Sequence, residues 1–173
     1  RTFGLGTYLP CDASKTMLID SLSDSTIYMA YYTVAQFFHV AEDGSLCLDA
    51  SKPNRFGITP SMITDATWEY VLKGVGTAEE LHAATGLPVE IAKKMRAEFA
   101  YWYPVDLRVS AKDLIQNHLT MFLYNHAAIW PEDRSKWPQS IYCNGHICVD
   151  GEKMSKSKGN FISLNEALQT YGA

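Results

Sequence analysis

Apolar positions in the first quarter of the chain recur with the period of a helix rather than that of a strand. Over residues 25–40 they fall on nearly every side of a helix, and a helix that is apolar all round is usually buried. Ser23 and Asp24, directly before this stretch, are residues that favour the N-cap and first turn of a helix. The pattern therefore predicts one buried helix over residues 25–40.

Shorter helices are predicted after residues 41–58, where glycine, proline and an Asp-Gly step favour a loop. They cover residues 59–73, 78–84 and 88–101. Proline stands at the start of the first and third helices, and glycine follows the first two. In the third helix Ile91, Met95 and Phe99 recur at every fourth position and form one apolar stripe. Residues 1–10 predict a loop or a short edge strand.

The period shortens to two near residue 105. Residues 105–109 alternate between apolar and charged side chains, and residues 141–149 predict a second strand, in which Asn144-Gly145 is a tight turn or a bulge. A helix over residues 112–130 lies between the two strands. Its apolar positions are expected to face a core: Ile115, Leu119, Phe122 and Leu123.

A strand, a helix and a second strand in this order predict a βαβ unit, and Ser163 with Glu166 forms a capping box that starts a last helix. The predicted fold class is therefore α/β. The second half contributes part of an open parallel sheet, and it follows a helix-rich first half.

Composition narrows the class of protein. The 173 residues carry 15 Lys and Arg against 19 Asp and Glu, a net charge of −4, so contact with RNA requires a local patch. The longest apolar stretch, residues 27–38, is shorter than the roughly 20 residues of a membrane span, and no secretory signal opens the chain. Four cysteines lack a Cys-x-x-Cys pair and predict reduced, partly buried thiols. We therefore expect a cytoplasmic protein that binds no membrane.

The candidate chemistry lies in the run Lys-Met-Ser-Lys-Ser-Lys. Its three lysines, Lys153, Lys156 and Lys158, have glycine on either side, which predicts a mobile cationic loop between a strand and a helix. Lys153 and Lys156 can converge on one anion, and the hydroxyl groups of Ser155 and Ser157 add donors. A charge run is more often only a solvated loop, and composition alone leaves that alternative open.

The pentapeptide Lys-Met-Ser-Lys-Ser is the signature of class I aminoacyl-tRNA synthetases. Further segments resemble leucyl-tRNA synthetases of the archaeal and eukaryotic cytosolic type. They are RTFGLGT at residues 1–7, SLSDSTIYMA at 21–30, YPVDLR at 103–108 and KDLIQNHL at 112–119. The chain thus resembles this family along nearly its whole length, and least over residues 41–100.

This resemblance implies the second half of a Rossmann-like catalytic domain. Residues 1–40 are then the return from an editing insert plus the buried helix, residues 41–102 a helical insert, and residues 103–173 the βαβ half with the lysine loop. The chain begins with Arg and ends inside a predicted helix, so we expect a piece of a longer protein. None of its five histidines stands in the family's His-x-Gly-His signature, so the chain alone is expected to be inactive.

The resemblance also implies a reaction. The parent protein would activate leucine with ATP, which Mg²⁺ accompanies, to leucyl-adenylate and transfer the leucyl group to tRNA(Leu). The rest of the synthetase chain, with the first catalytic half and the editing and anticodon-binding domains, is a further expected partner. Adenylate formation needs no protein nucleophile, so catalysis rests on positioning and charge stabilisation. We expect Lys156 to be the main catalytic residue, with Lys153 assisting and Lys158 facing solvent or tRNA.

The expected ATP-binding residues lie in the lysine loop and at the ends of the two strands. They are Lys153, Met154, Ser155, Lys156, Ser157, Ala111, Asp113, Asn144, Gly145 and His146. The resemblance favours a role for Asp113 in binding the ribose hydroxyls, whereas a carboxylate that stabilises the helix dipole is the simpler alternative. The family usually has glycine at Ala111, where ligand approaches the backbone. For residues 144–146, contact with adenine and a simple bulge in the strand are equally good interpretations.

The leucine side of the site is expected to include His118, Thr26 and Met29. The resemblance places His118 beside the aminoacyl-adenylate. Thr26 and Met29 lie near the start of the buried helix, where a purely structural core role explains them equally well. His126 is expected to be structural, and no residue of the chain is expected to ligate a metal.

Two other functions remain open at this stage. An isoleucyl- or valyl-tRNA synthetase would carry the same lysine loop, because that loop handles ATP rather than the amino acid, although residues 113–118 favour the leucyl family. A non-catalytic RNA-binding or leucine-responsive module is the alternative from another class. The acidic balance argues only weakly against RNA binding by the chain alone.

Overall fold

The computed structural model describes residues 8–9, 11–20, 22–49, 52 and 54–172. Its α-helices are α1 (Tyr28–Tyr32), α2 (Gln36–His39), α3 (Asp65–Trp68), α4 (Ala78–Thr85), α5 (Val89–Trp102), α6 (Thr120–Ile129) and α7 (Leu164–Tyr171). Its strands are β1 (Arg108–Ala111), β2 (Ile141–Asn144), β3 (Cys148–Val149) and β4 (Glu152–Lys153). The prediction for residues 1–7 lies outside the described residues, while Tyr8 forms an isolated antiparallel bridge with Leu18.

The single buried helix predicted over residues 25–40 is wrong. This stretch consists of a 3₁₀ turn at Asp24–Thr26 followed by α1 and α2. The Thr33 hydroxyl donates to the Ala30 carbonyl at 2.7 Å, and such side-chain bonds compete with a regular helical ladder. Val34 is fully buried, whereas Tyr32 is exposed. The sequence is therefore apolar at more positions of this stretch than the structure buries among its described residues.

The helix predicted over residues 59–73 begins later than expected. A 3₁₀ turn at Pro60–Met62 comes first, and Thr64 then caps α3 through a capping box with Thr67. The helix continues as a π-helical turn over Glu69–Lys73 and ends at Gly74, whose φ of +76° suits glycine. Thr64 stands directly before α3, and its amide donates to the Thr67 hydroxyl at 3.1 Å, so α3 begins at Asp65 rather than at Pro60.

Helices α4 and α5 confirm the predictions for residues 78–101. Thr77 and Glu80 form a capping box at the start of α4, and Gly86 ends it. The predicted stripe of α5 turns Met95 and Phe99 fully inward. These two side chains belong to a core that α5 shares with residues from the first half of the chain and with Trp130.

Aromatic rings form the centre of this core. Phe99 stacks on Tyr103 with 4.7 Å between ring centroids and on Trp130 with 5.9 Å. The Trp130 indole N–H donates to the Leu72 carbonyl at 3.1 Å. Burying such rings removes a large apolar area from water, so packing holds this half together.

The predicted βαβ unit is present. Strands β1 and β2 pair in parallel, with Arg108 opposite Ile141 and Ala111 opposite Asn144. The segment between them begins with a 3₁₀ turn at Lys112–Leu114 and a π-helical turn at Ile115–Leu119 and continues as α6.

Two of the four core positions predicted for this helical segment are confirmed. Leu119 and Phe122 are buried, whereas Ile115 and Leu123 are about half exposed. The prediction of a buried Ile115 and Leu123 is wrong, since both side chains lie on the side of the helical segment that remains accessible to water.

The strand predicted over residues 141–149 is interrupted. Strand β2 ends at Asn144, and β3 and β4 then form an antiparallel hairpin before α7. Ser163 caps α7 in a capping box with Glu166, as predicted. From residue 131 to 172 no described residue is buried. All four cysteines are free, but Cys11, Cys143 and Cys148 are exposed, so the expectation of partly buried thiols holds only for Cys47.

Candidate active site

Strands β1 and β2 end side by side. Ala111 lies opposite Asn144 in the register, and the chain leaves the sheet directly after each of them. Ligands of open α/β sheets bind at the carboxyl ends of parallel strands. The sheet therefore brings Ala111 and Asn144, two of the residues predicted to bind ATP, to the same edge.

The residues that follow β2 lie open to solvent. Asn144 and Gly145 are exposed and His146 is half-buried. A Cβ added to Gly145 would meet no atom within 4 Å, so there is free space beside the backbone. The Asn144 amide donates to the Gly145 carbonyl at 2.9 Å and holds the turn in place. The predicted contact of these residues with adenine stays a prediction.

A tight hairpin carries the chain into the lysine loop. The φ angles of its two turn residues, Asp150 and Gly151, are +52° and +80°, as in the type I′ turns that join two-residue hairpins. The Met154 amide donates to the Ile147 carbonyl at 3.2 Å and prolongs the strand pairing. The Asp150-Gly151 step after Val149 was the sequence signal for this hairpin, and the prediction of one strand over residues 141–149 missed it.

The three lysines of the loop differ in their surroundings. Lys153 Nζ lies 3.3 Å from Asp113 Oδ2, and Lys158 Nζ lies 2.9 Å from Glu152 Oε2. Within the described part of the chain, no carboxylate lies within ion-pair distance of Lys156. The exposed loop therefore offers one uncompensated ammonium group, flanked by two that carboxylates partly neutralise.

The ion pair of Lys153 joins the loop to the helical segment that follows β1. The hydrogen bond from Lys153 is the main cause that lowers the pKa of Asp113, and the charges of Lys153 and His146 act in the same direction. The Asp113 carboxylate is therefore ionised at neutral pH and able to accept hydrogen bonds. Both partners are about half exposed, so water and a ligand can compete for this pair.

Lys156 occupies the tip of the loop. The Lys158 amide donates to the Ser155 carbonyl at 3.2 Å, and the Gly159 amide donates to the Lys156 carbonyl at 3.3 Å. Two successive turns thus enclose this lysine. The hydroxyl groups of Ser155 and Ser157 lie 2.7 Å apart and bond to each other beside it.

His118 is buried, and protein groups occupy both of its ring nitrogens. Nε2 lies 3.2 Å from Arg108 Nη2, and Nδ1 lies 3.1 Å from the Ser25 hydroxyl. Because a guanidinium only donates, Nε2 accepts and the proton resides on Nδ1. Burial, and then the charge of Arg108, lowers the pKa of His118, so the ring is neutral at pH 7.

Arg108 is a site residue that sequence reasoning missed. Its guanidinium also donates to the Tyr28 hydroxyl at 2.9 Å and lies over that ring. In this part of the chain Asp106, Leu107 and Val109 are exposed, whereas Arg108 is half-buried and Ser110 is buried. The alternation over residues 105–109 predicted a strand but did not indicate that a charged side chain lies on its inner face.

The two residues predicted for the leucine pocket have different environments. Thr26 is fully buried; its hydroxyl donates to the Ser23 carbonyl and accepts from the Asn125 amide, both at 2.6 Å. Met29 is half-buried and borders a cavity of about 310 Å³ together with Tyr32 and Trp102. Thr26 thus has the bonding of a structural residue, while Met29 keeps a surface that a ligand can reach.

Two general properties frame the site. In the stretches that the structure describes, no group of three or more His, Cys, Asp or Glu side chains is arranged to hold a metal ion. No helix among the described residues has the length and apolar character needed to cross a membrane.

Comparisons with known proteins match both halves of the chain. The family model of class I (M) tRNA synthetases matches residues 83–173. The cytoplasmic leucine–tRNA ligase of Pongo abelii is 48% identical over 173 residues, which cover all of this chain and 14% of that protein. The leucine–tRNA ligase of Pyrobaculum islandicum is 49% identical over 172 residues, 99% of this chain and 16% of that protein. The cytoplasmic enzyme of Dictyostelium discoideum is 50% identical over all 173 residues and 15% of its own length.

Proposed function

Because this chain belongs to the class I tRNA synthetases, we propose that it forms the second half of the catalytic domain of a leucine–tRNA ligase. The chain spans only about 14–16% of the length of the relatives it matches. Its proposed role is therefore one part of a larger enzyme, whose remainder supplies the first catalytic half and the editing and anticodon-binding domains.

The proposed architecture is a Rossmann-like sheet to which this chain gives β1 and β2. Residues 1–40 return from the editing insert, residues 41–102 form a helical insert, and residues 103–173 form the nucleotide-binding half. The parallel pairing of β1 and β2 and the long helical crossover between them support this arrangement.

The proposed reaction is the attack of the leucine carboxylate on the α-phosphorus of ATP, which forms leucyl-adenylate and releases pyrophosphate. The leaving group gains negative charge, so a cation that meets it in the transition state accelerates the step. Lys156 is that cation. The observation that carries this proposal is its uncompensated charge at the tip of a loop whose other two lysines are paired. Magnesium arrives with ATP as part of the substrate.

Asp113 and Lys153 act as a pair that ATP separates. In the proposed complex Asp113 accepts hydrogen bonds from the ribose hydroxyls, and Lys153 turns to the phosphates beside Lys156. Their exposed contact of 3.3 Å supports such an exchange, because a weak surface pair is readily replaced. Ala111, Asn144, Gly145 and His146 line the adenosine side, and Met154, Ser155 and Ser157 shape the loop.

His118, Thr26 and Met29 form the leucine side of the proposed site. Because Ser25 and Arg108 occupy the two nitrogens of His118, this residue offers the ligand its ring face rather than a hydrogen bond. Met29 offers an apolar contact, and Thr26 supports the wall from inside the core. The remainder of the pocket belongs to the first catalytic half.

Exposed apolar side chains support the rest of the synthetase as a partner. Val109 and Tyr142 are opposite each other on β1 and β2, and both are more than half exposed. Neighbouring apolar side chains that are exposed on one face of a sheet indicate a surface that another part of the protein covers. We propose that the first catalytic half covers it and that tRNA(Leu) reaches the completed site. We also propose that the enzyme works in the cytoplasm, like the relatives that are named cytoplasmic leucine–tRNA ligases.

The proposal is tested by amino-acid-dependent ATP–pyrophosphate exchange on the intact synthetase that contains this chain. The assay compares all standard amino acids. Exchange with leucine alone supports the proposed function. Exchange with isoleucine or valine would keep the mechanism and overturn the substrate, and no exchange with any amino acid would leave a non-catalytic module as the better account.

A further inference from the structure

One side chain closes the lysine loop on itself. Asn160 Oδ1 accepts a hydrogen bond from the Ser155 amide at 3.0 Å, and Asn160 Nδ2 donates to the Lys153 carbonyl at 3.2 Å. The two backbone groups flank Met154 at the start of the loop, whereas Asn160 stands at its end. A single half-buried amide therefore ties the two ends of an exposed eight-residue segment together.

The backbone around Asn160 is shaped for this contact. Gly159, directly before it, has a φ of +71°, which glycine adopts at little cost and other residues rarely do. This conformation turns the chain back toward Ser155. The Ile162 amide, two residues later, lies 3.5 Å from the Met154 sulfur and adds a weak third tie.

We propose that Asn160 is a positioning residue for catalysis, which holds Lys156 at the tip of the loop in the orientation that meets the leaving pyrophosphate. This inference rests on the proposed function and names a residue that acts through Lys156. An asparagine suits the task because its amide both accepts and donates, so it bonds the Ser155 N–H and the Lys153 carbonyl at once. It also carries no charge, so it orders the loop without neutralising Lys156, as a carboxylate at the same place would.

The inference has a readout that does not depend on activity. In the intact synthetase, Asn160→Ala removes the acceptor of the Ser155 amide, and hydrogen exchange in the peptide that contains Ser155 should become faster. Asn160→Asp retains an oxygen acceptor for the Ser155 amide but loses the donor to the Lys153 carbonyl and adds a negative charge, so the same peptide should keep more protection than in Asn160→Ala. Asn165→Ala, which changes an exposed asparagine of α7, is the matched control and should leave it unchanged.

The catalytic part is tested by a double-mutant cycle on the rate of leucyl-adenylate formation. Asn160→Ala should slow this rate about 10²-fold, which is the cost of a misplaced catalytic group. If Asn160 acts through Lys156, the same substitution in a Lys156→Ala background should cost no more than about twofold further. A purely structural role would instead multiply the two losses, and that result would overturn the inference.

The outcomes separate this inference from the function on which it rests. Suppose that the unmodified enzyme shows leucine-dependent ATP–pyrophosphate exchange and that Asn160→Ala forms leucyl-adenylate at an unchanged rate. This result would overturn the role of Asn160 and leave the proposed function intact. No ATP–pyrophosphate exchange by the unmodified enzyme would contradict the function, and amide hydrogen exchange would then test only whether Asn160 ties the loop together. Unchanged hydrogen exchange near Ser155 in Asn160→Ala would overturn that tie, and faster hydrogen exchange would support it.

Discussion

Residues 54–130, the core region, and residues 131–172, the loop region, are held together by different forces. Most of the buried apolar side chains lie in the core region, and its last one is Trp130. The described residues of the loop region include none that is buried, and its shape rests on turns, capping boxes and hydrogen bonds. Apolar packing thus stabilises one region, whereas polar geometry defines the other.

The difference follows from what each region has to do. Three lysines within six residues cannot be buried without a large desolvation penalty, so a cationic loop stays in water until a ligand replaces that water. The core region provides the fixed frame from which β1 and β2 present the loop. The proposed phosphate-binding loop accordingly lies in a region whose described residues include none that is buried.

The largest expected loss of stability comes from a substitution in the core region. Phe99→Ala removes a fully buried ring between Tyr103 and Trp130 and should lower the free energy of unfolding of the chain by about 3–5 kcal/mol. The matched variant in the loop region, Phe161→Ala, changes a ring that is half exposed and should have a far smaller effect. Urea unfolding of both variants checks the comparison, and similar losses would contradict it.

Acid should weaken the core region next. His126 is fully buried, donates from Nδ1 to the Phe122 carbonyl at 2.8 Å and bonds the Tyr103 hydroxyl through Nε2. Burial lowers its pKa, so the folded chain keeps it neutral while the unfolded chain protonates it below about pH 6.5. Stability is complete above that pH and falls below it.

The expected slope is up to about 1.4 kcal/mol per pH unit for this histidine, because the unfolded state binds one proton more. His118, whose pKa is also lowered, acts in the same direction. Urea unfolding between pH 5 and 8 measures the slope. Stability that stays constant or rises as the pH falls from 6.5 to 5 would show that the buried histidines are not the cause.

Two matching capping boxes sharpen the comparison on a smaller scale. Thr77 caps α4 in the core region and Ser163 caps α7 in the loop region, each with a glutamate three residues on. Replacing either by alanine should cost about 1 kcal/mol. For Thr77→Ala this loss should appear in global unfolding, because α4 buries Leu81.

For Ser163→Ala the loss should stay local, since α7 has no buried residue. Amide hydrogen exchange should become faster within α7 while the midpoint of global unfolding changes little. A midpoint shift as large as that of Thr77→Ala would mean that the loop region folds as one unit with the core.

The smallest expected effect on stability concerns the link between the regions. Asp113→Asn breaks an exposed ion pair with Lys153 and should leave the unfolding midpoint almost unchanged. In the intact synthetase the same change should raise the KM for ATP roughly tenfold, through weaker bonds to the ribose. An unaltered KM for ATP would indicate that Asp113 serves only the helix terminus.

The sequence predicted the core region and the βαβ order more faithfully than the details of the site. Periodicity placed Met95 and Phe99 inward, because one helix face packs against a continuous apolar core. The same reasoning failed over residues 25–40, where threonine hydroxyls bond the backbone, and at Ile115 and Leu123, which remain about half exposed.

One motif predicted where the candidate site lies, but it did not predict the ion pairs and hydrogen bonds within the site. The pentapeptide identified the lysines, but it did not indicate that carboxylates pair with Lys153 and Lys158, while none among the described residues pairs with Lys156. The contact between Lys153 and Asp113 joins residues forty positions apart, and that between Arg108 and His118 joins a strand to the helical segment that follows it. Such contacts depend on how the elements pack together, and the sequence pattern within one element carries no information on that packing.

The central claim is that, among the described residues of the loop, Lys156 is the lysine whose positive charge no carboxylate neutralises. The most direct test measures the rate of leucyl-adenylate formation, without tRNA, in the intact synthetase with Lys156→Ala or Lys158→Ala. Loss of the unpaired ammonium should slow the step by about 10²–10³-fold, while loss of the lysine that Glu152 already neutralises should change it by only a few fold. Equal losses in the two variants would contradict the claim, since the pairing would then not decide which lysine acts.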